Sequence, residues 1–219
     1  MTHHPASVRH LDGPSGRLEA RIDEPAGPPR AVAVVAPPHP ELGGTLHDRV
    51  VYHATQGLTR VGCAVIRFTF RGAGASEGTF TGGPGERDDF HAAIDAAAAR
   101  YPGLPVWAVG YSFGAWIAAG VGADDPRVTH LVAIAPPVSS FDFDAVIAAG
   151  KPVFLIHGER DHLSSVKAVQ RFYGTLHEPR ELVIVDGADH LFDIDHLSLS
   201  PCEYAIQAPS GDQLGQSWP

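Results

Sequence analysis

Between Arg100 and Asp124 the chain carries no charged side chain over residues Tyr101 to Ala123. That is long enough to span a membrane as a helix. Pro102, Pro105 and the glycines at 103, 110, 114, 120 and 122 argue against a single helix. A loop, a buried strand (Val106–Val109), a tight turn and a buried helix (Phe113–Val121) in series account for the stretch better. The turn reads Gly110-Tyr111-Ser112-Phe113-Gly114, a G-x-S-x-G pattern with strand before it and helix after it. In that setting the pattern describes a nucleophile elbow. The serine sits on a sharp strand-to-helix turn, and the glycines leave room where backbone crowds. The Phe113 amide then lies at a helix N-terminus, where unpaired N–H groups favour negative charge.

Gly74-Ala75-Ser76-Glu77-Gly78 matches the same pattern, which is no surprise in a chain with 24 glycines. Ser76 lies several residues past its strand (Ala64–Phe70). It is followed by Thr79-Phe80-Thr81-Gly82-Gly83-Pro84-Gly85, which reads as loop and cannot open a helix at once. Ser112 is therefore the candidate nucleophile and Ser76 a loop serine.

Other short apolar runs repeat the theme. Ala31–Ala36, Ala64–Phe70, Val128–Ala135, Val153–His157 and Glu181–Val185 read as strands buried on both faces. Arg17–Asp23 alternates and reads as an edge strand. Helical spacing covers Asp48–Val61, Glu86–Arg100 and Ser164–Leu176, with Ser164 as a cap, and Phe141–Ala149 reads as one short helix. Glu86, Asp88 and Asp89 suit the first turn of their helix. Strands alternating with helices predict an α/β fold with a mostly parallel sheet and right-handed crossovers.

With 219 residues, 44% hydrophobic and 19% charged, the chain is long and apolar enough for one domain with a real core. Its formal net charge of −9 and the lack of a basic cluster argue against nucleic acid as a partner. Residues Met1–Gly16 have no apolar run of signal-peptide length, so a cytoplasmic protein without membrane contact is expected. Cys63 and Cys202 make no disulfide framework, and Cys63 reads as an inert core thiol.

In such sheets sites form at the C-terminal strand ends. An activated serine needs a base in hydrogen-bond reach and an acid to orient that base. Val153–His157 runs into Gly158-Glu159-Arg160-Asp161, and Glu181–Val185 runs into Asp186-Gly187-Ala188-Asp189-His190. Asp161 and His190 thus follow Ser112 in the order Ser, Asp, His. Glu159 or Asp186 fits the acid's place on paper. Most of the 13 histidines are surface or core residues, and His157 reads as the end of a buried strand. The run Asp189, His190, Asp193, Asp195, His196 lacks the spacing of helical zinc motifs, so no metal is expected.

A second oxyanion donor is expected from the loop Pro37-Pro38-His39-Pro40-Glu41-Leu42-Gly43-Gly44. Pro40 has no N–H, which makes the Glu41 amide the first choice and Leu42 the alternative. Only Pro136 to Lys151 separates two strands where a lid would sit, too short for a lid domain. Leu42, Phe113, Val138, Phe141, Phe143, Leu163 and Leu191 are candidates for pocket walls; for each phenylalanine the plainer reading is core.

With these residues in place the chain resembles the α/β-hydrolase superfamily, and most closely its small, lidless, dienelactone-hydrolase-like esterases. The matching pieces are Pro38-His39-Pro40 with Gly43-Gly44-Thr45, then Arg67 to Gly78, Gly110 to Gly114, His157 to Asp161 and Gly187 to His190. The resemblance covers roughly residues 17 to 192 and implies Ser112 as nucleophile, His190 as base and Asp161 as orienting acid. Dienelactone hydrolases proper use a cysteine, and Ser112 here points toward serine-ester chemistry instead. Family members continue past the histidine into an amphipathic helix, whereas Leu197–Pro219 holds Pro201, Pro209 and Pro219 and has no helical period.

The domain reading is an N-terminal extension (1–16), an α/β-hydrolase domain (17–196) and an atypical tail (197–219). The expected protein is a carboxylic-ester hydrolase for short to medium acyl chains, without a cofactor, acting on a small-molecule ester and possible as a homodimer. The rivals are another acyl bond (thioester, amide or peptide), a perhydrolase, and a non-catalytic binding protein on the same fold.

Overall fold

The structure is a computed structural model that describes residues 8–193. Its strands are β1 (Val8–Gly13), β2 (Gly16–Asp23), β3 (Ala31–Ala36), β4 (Cys63–Phe68), β5 (Val106–Tyr111), β6 (Val128–Ile134), β7 (Val153–Gly158) and β8 (Arg180–Val185). Its helices are α1 (Arg49–Arg60), α2 (Pro84–Arg100), α3 (Phe113–Asp124), α4 (Asp144–Ala149) and α5 (Val166–Thr175). All eight strands join one sheet in the order β1-β2-β4-β3-β5-β6-β7-β8. The first two run antiparallel to their neighbours, and β4 to β8 with β3 are parallel.

Period-two alternation sends the sheet's side chains into two cores. On β5, Val106 and Ala108 face the core built with α2 and α3, while Trp107, Val109 and Tyr111 face the core built with α1. Every residue of β3, β4, β5 and β7 is buried, which is why these strands read as apolar runs, with Arg67 in β4, paired to Asp23, and His157 in β7 as the buried polar exceptions. Cys63 sits in this core, and burial pushes its thiol pKa up to about 12, far from a reactive thiolate. The uncharged stretch divides as its prolines and glycines require, into a loop, β5 and α3. Among the described residues no helix is long and apolar enough to cross a membrane.

Four local expectations need correction. Residues Arg17–Asp23 form no edge, because β1, inside the supposed extension, pairs outside β2 along its whole length. Among the described residues the far edge is β8, whose one neighbour is β7, and its six residues are all half-buried rather than buried. Helix α5 is capped by Ser165, whose side chain accepts the Ala168 amide; Ser164 is buried and used elsewhere. The short helix α4 starts at Asp144, leaving Phe141 and Phe143 in the preceding loop. In α2, Glu86 and Asp89 do more than face the helix dipole. Glu86 accepts the Gly83 amide and both donors of Thr81, and Asp89 grips Arg71 through three side-chain hydrogen bonds. The tail 197–219 and residues Asp195 and His196 lie outside the described residues.

Candidate active site

Ser112 follows β5 directly and stands at the N-cap of α3 with φ 55° and ψ −121°. A non-glycine residue held at positive φ costs roughly 1–3 kcal/mol and persists only where its surroundings enforce it. Those surroundings are visible. The Ser112 amide donates to the Ile134 carbonyl on β6 at 2.9 Å, and its own carbonyl accepts the Ala115 amide at 2.8 Å. Both flanking glycines are needed for space. A Cβ on Gly110 would stand 2.1 Å from the Gly114 carbonyl oxygen, and one on Gly114 would stand 2.3 Å from that of Pro37.

His190 lies beyond β8 and reaches back. Its Nε2 is 2.9 Å from Ser112 Oγ and its Nδ1 is 2.7 Å from Asp161 Oδ2. A carboxylate only accepts, so neutral His190 carries its proton on Nδ1 and presents a bare Nε2 to the serine hydroxyl. The Asp161 side chain is fully buried, and Oδ1 accepts the amides of Leu163 at 2.8 Å and Ser164 at 3.1 Å. Burial alone would raise its pKa, but the His190 hydrogen bond and charge and those two amides together bring it below the ordinary carboxylate range. Glu159 and Asp186, possible on paper, do not take this place. Glu159 instead accepts the Gly187 amide at 2.7 Å.

The histidine loop is strapped down on three sides. Gly158 lets it come close, since a Cβ there would stand 2.4 Å from the Asp189 carbonyl oxygen. The Tyr111 hydroxyl donates to the His190 carbonyl at 3.0 Å. Arg49, at the start of α1, donates to the Leu191 carbonyl at 3.0 Å and to Asp193 at 2.6 Å. The sequence assigns Tyr111, Arg49, Gly158 and Ser164 no part in the site: Ser164 reads as a helix cap, and Gly158 only as part of the run into Asp161. Tyr111 and Gly158 carried a local signal, the first inside the elbow motif and the second in the run from His157 to Asp161.

Phe113 begins α3, and its amide has no acceptor among the described residues. In the loop after β3, Pro40–Leu42 forms a 3-10 turn. The Leu42 amide is committed to the His39 carbonyl at 3.0 Å, whereas the Glu41 amide has no acceptor among the described residues. The close approach of Gly114 to Pro37 brings this loop against the start of α3.

The seven pocket-wall candidates divide. Leu42, Leu163 and Leu191 are exposed large hydrophobics, on the three loops that carry Glu41, Asp161 and His190. Val138, Phe141 and Phe143 line a cavity of about 380 Å³ with Ile147 and Phe172, between α4 and α5. None of the three leucines, nor Ser112, Asp161 or His190, lines that cavity. Phe113 itself is buried at the centre of a ring cluster, 5.0 Å from His39, 5.7 Å from Phe80 and 6.0 Å from Phe141 between centroids. Ser76 donates to the Thr69 carbonyl at 2.7 Å and accepts the Glu19 amide at 2.9 Å, as a loop serine. Among the described residues no group of three or more His, Cys, Asp or Glu is placed to hold a metal ion.

A family model described as serine aminopeptidase, S33 (Hydrolase_4) matches residues 29–149. An uncharacterized protein of Rickettsia prowazekii is 35% identical over 192 residues, covering 84% of this chain and 81% of that protein. An α/β serine hydrolase homologue from Coxiella burnetii superposes with a TM-score of 0.80 at 32% identity, covering 88% of this chain and 91% of the other. A structure from Xanthomonas campestris, described as an α/β serine hydrolase without lid, gives a TM-score of 0.80 at 32% identity over 88% of each chain.

Proposed function

We propose, from the premise that the chain belongs to the α/β-hydrolase superfamily and to its serine hydrolases, that it cleaves carboxylic esters with short to medium acyl chains. One observation carries the reading: the unbroken chain Ser112 Oγ, His190, Asp161, with contacts of 2.9 and 2.7 Å, on a strained elbow. His190 Nε2 takes the hydroxyl proton as Oγ bonds to the ester carbonyl carbon. The amides of Phe113 and Glu41 receive the oxyanion, and losing one such donor costs about 10²–10³ in turnover. His190 then gives the proton to the departing alcohol oxygen as the carbon–oxygen bond breaks. Water, deprotonated by His190, attacks the acyl-enzyme and frees the acid, returning the proton to Ser112. Asp161 keeps the imidazole in its tautomer and balances its charge. No step calls for a cofactor.

The short β6–β7 connection, holding only α4, supports an open site, and the exposed Leu42, Leu163 and Leu191 offer apolar contact for modest acyl or alcohol groups. The aminopeptidase description of the matched family favours a second reading, hydrolysis of a peptide or other amide by the same residues. Hydrolysis of p-nitrophenyl esters from acetate to palmitate, beside aminoacyl p-nitroanilides, separates the two. Activity peaking at short esters is expected; turnover of the anilides alone would replace the ester reading with the peptide one.

A further inference from the structure

His157, near the end of β7, is fully buried, and its Nε2 lies 2.7 Å from the Ser164 carbonyl oxygen. A carbonyl only accepts, so Nε2 carries the proton and the neutral ring has a bare Nδ1. That Nδ1 is buried, makes no hydrogen bond, and stands 3.8 Å from Asp161 Oδ2. The same Oδ2 accepts the N–H of His190 Nδ1, at 2.7 Å between the heavy atoms. Two imidazoles thus address one carboxylate oxygen, one bonded to it and one short of it. Asp161 and His190 are the charged groups that act on His157, and Asp48, at the N-cap of α1, interacts electrostatically with His190. Across on β8 the ring's register partner is Ile184, on the β6 side Ala135 donates to Ile156, and exposed His162 meets the His190 ring at 6.5 Å.

We propose that His157 is a positioning residue that, when protonated, competes with His190 for Oδ2 of Asp161 and so disengages the base. The inference rests on Ser112, His190 and Asp161 being the catalytic chain. While neutral, His157 turns a lone pair toward Oδ2, which leaves His190 as the one N–H donor to that oxygen. A proton on Nδ1 turns the lone pair into a donor. Charge-assisted N–H···O contacts settle at about 2.7–2.9 Å, so a shift on the order of 1 Å closes the gap. The carboxylate then moves off His190, and the two like charges oppose each other's protonation. Burial holds the His157 pKa below the ordinary histidine range, so the ring is neutral where the enzyme is proposed to work.

The test is the acid limb of kcat/KM for p-nitrophenyl butyrate in wild type and His157→Gln. Glutamine keeps an N–H for the Ser164 carbonyl and takes no proton. Each proton that abolishes activity steepens the limb by about tenfold per pH unit. Wild type is expected to fall more steeply than one proton allows, and His157→Gln with a slope of one. Equal slopes overturn the proposal, whatever the absolute rates. Imidazole NMR of wild type gives a second check that needs no variant. His157 should show the bare-Nδ1 tautomer at neutral pH and take up its proton before the fold is lost; unfolding first sinks the idea. Ser112→Ala run alongside isolates the premise, because full activity in that variant removes the site reading itself.

Discussion

Ser76 and Ser112 both stand at the centre of Gly-x-Ser-x-Gly, and everything around them differs. The Ser76 hydroxyl is saturated by backbone, donating to Thr69 and accepting from Glu19, which stitches the 71–78 loop to β2. Among the described residues the Ser112 hydroxyl meets only the bare nitrogen of His190. The glycines differ as well. Gly74 and Gly78 have φ of 52° and 84°, values the loop's course requires. Gly110 and Gly114 do not have positive φ and are glycine because backbone passes within 2.1 and 2.3 Å of where a Cβ would be. In the elbow it is the serine that takes the left-handed conformation. One pattern therefore serves two physical needs, conformational freedom in one place and close approach in the other.

The sharpest way to break this contrast is on turnover. Ser112→Ala should lower ester hydrolysis by at least about a thousandfold, and Ser76→Ala should leave it unchanged in a substrate assay. Retained activity in the first would end the assignment. Next comes folding. Gly114→Ala drives a methyl into fixed backbone and should cost about 3 kcal/mol or more, while Gly78→Ala should cost about 1–2 kcal/mol for its positive φ; urea unfolding compares them. If the order reverses, the distinction between the glycines is wrong. Ser76→Ala should itself cost about 1–3 kcal/mol, since it strands two partly buried backbone groups.

The smallest effect is on pH. Burial would raise the pKa of Glu19, but the Ala75 amide, His47 and Thr69 hold it below the ordinary carboxylate range. Its contribution to stability is complete above the unfolded pKa and is lost as pH falls through the lower folded one. Melting temperatures across acid pH should therefore decline less in Glu19→Gln than in wild type. Parallel curves would show that Glu19 is not what ties the Ser76 loop down.

The strands buried on both faces were legible because such burial leaves an unbroken apolar run; β3 agrees at both ends, Ala31 and Ala36. Strand β1 was not legible, since VRHLDG lies on an edge and carries no such run. The order Ser112, Asp161, His190 was readable because each residue follows the C-terminal end of a parallel strand, within a few residues of it. Tyr111, Arg49 and His157 act on partners 79, 142 or 7 residues away, and contacts of that kind leave no periodic trace in a chain. The split of the pocket candidates turned on side-chain packing, which loop position alone does not specify.

The left-handed backbone at Ser112 sets stability and activity against each other. Glycine at 112 would adopt φ 55° without a Cβ penalty, so it relieves the strain and removes the hydroxyl in one step. A search for heat resistance alone would drift toward that inert protein. Under the proposed mechanism, only a screen for turnover retains the serine.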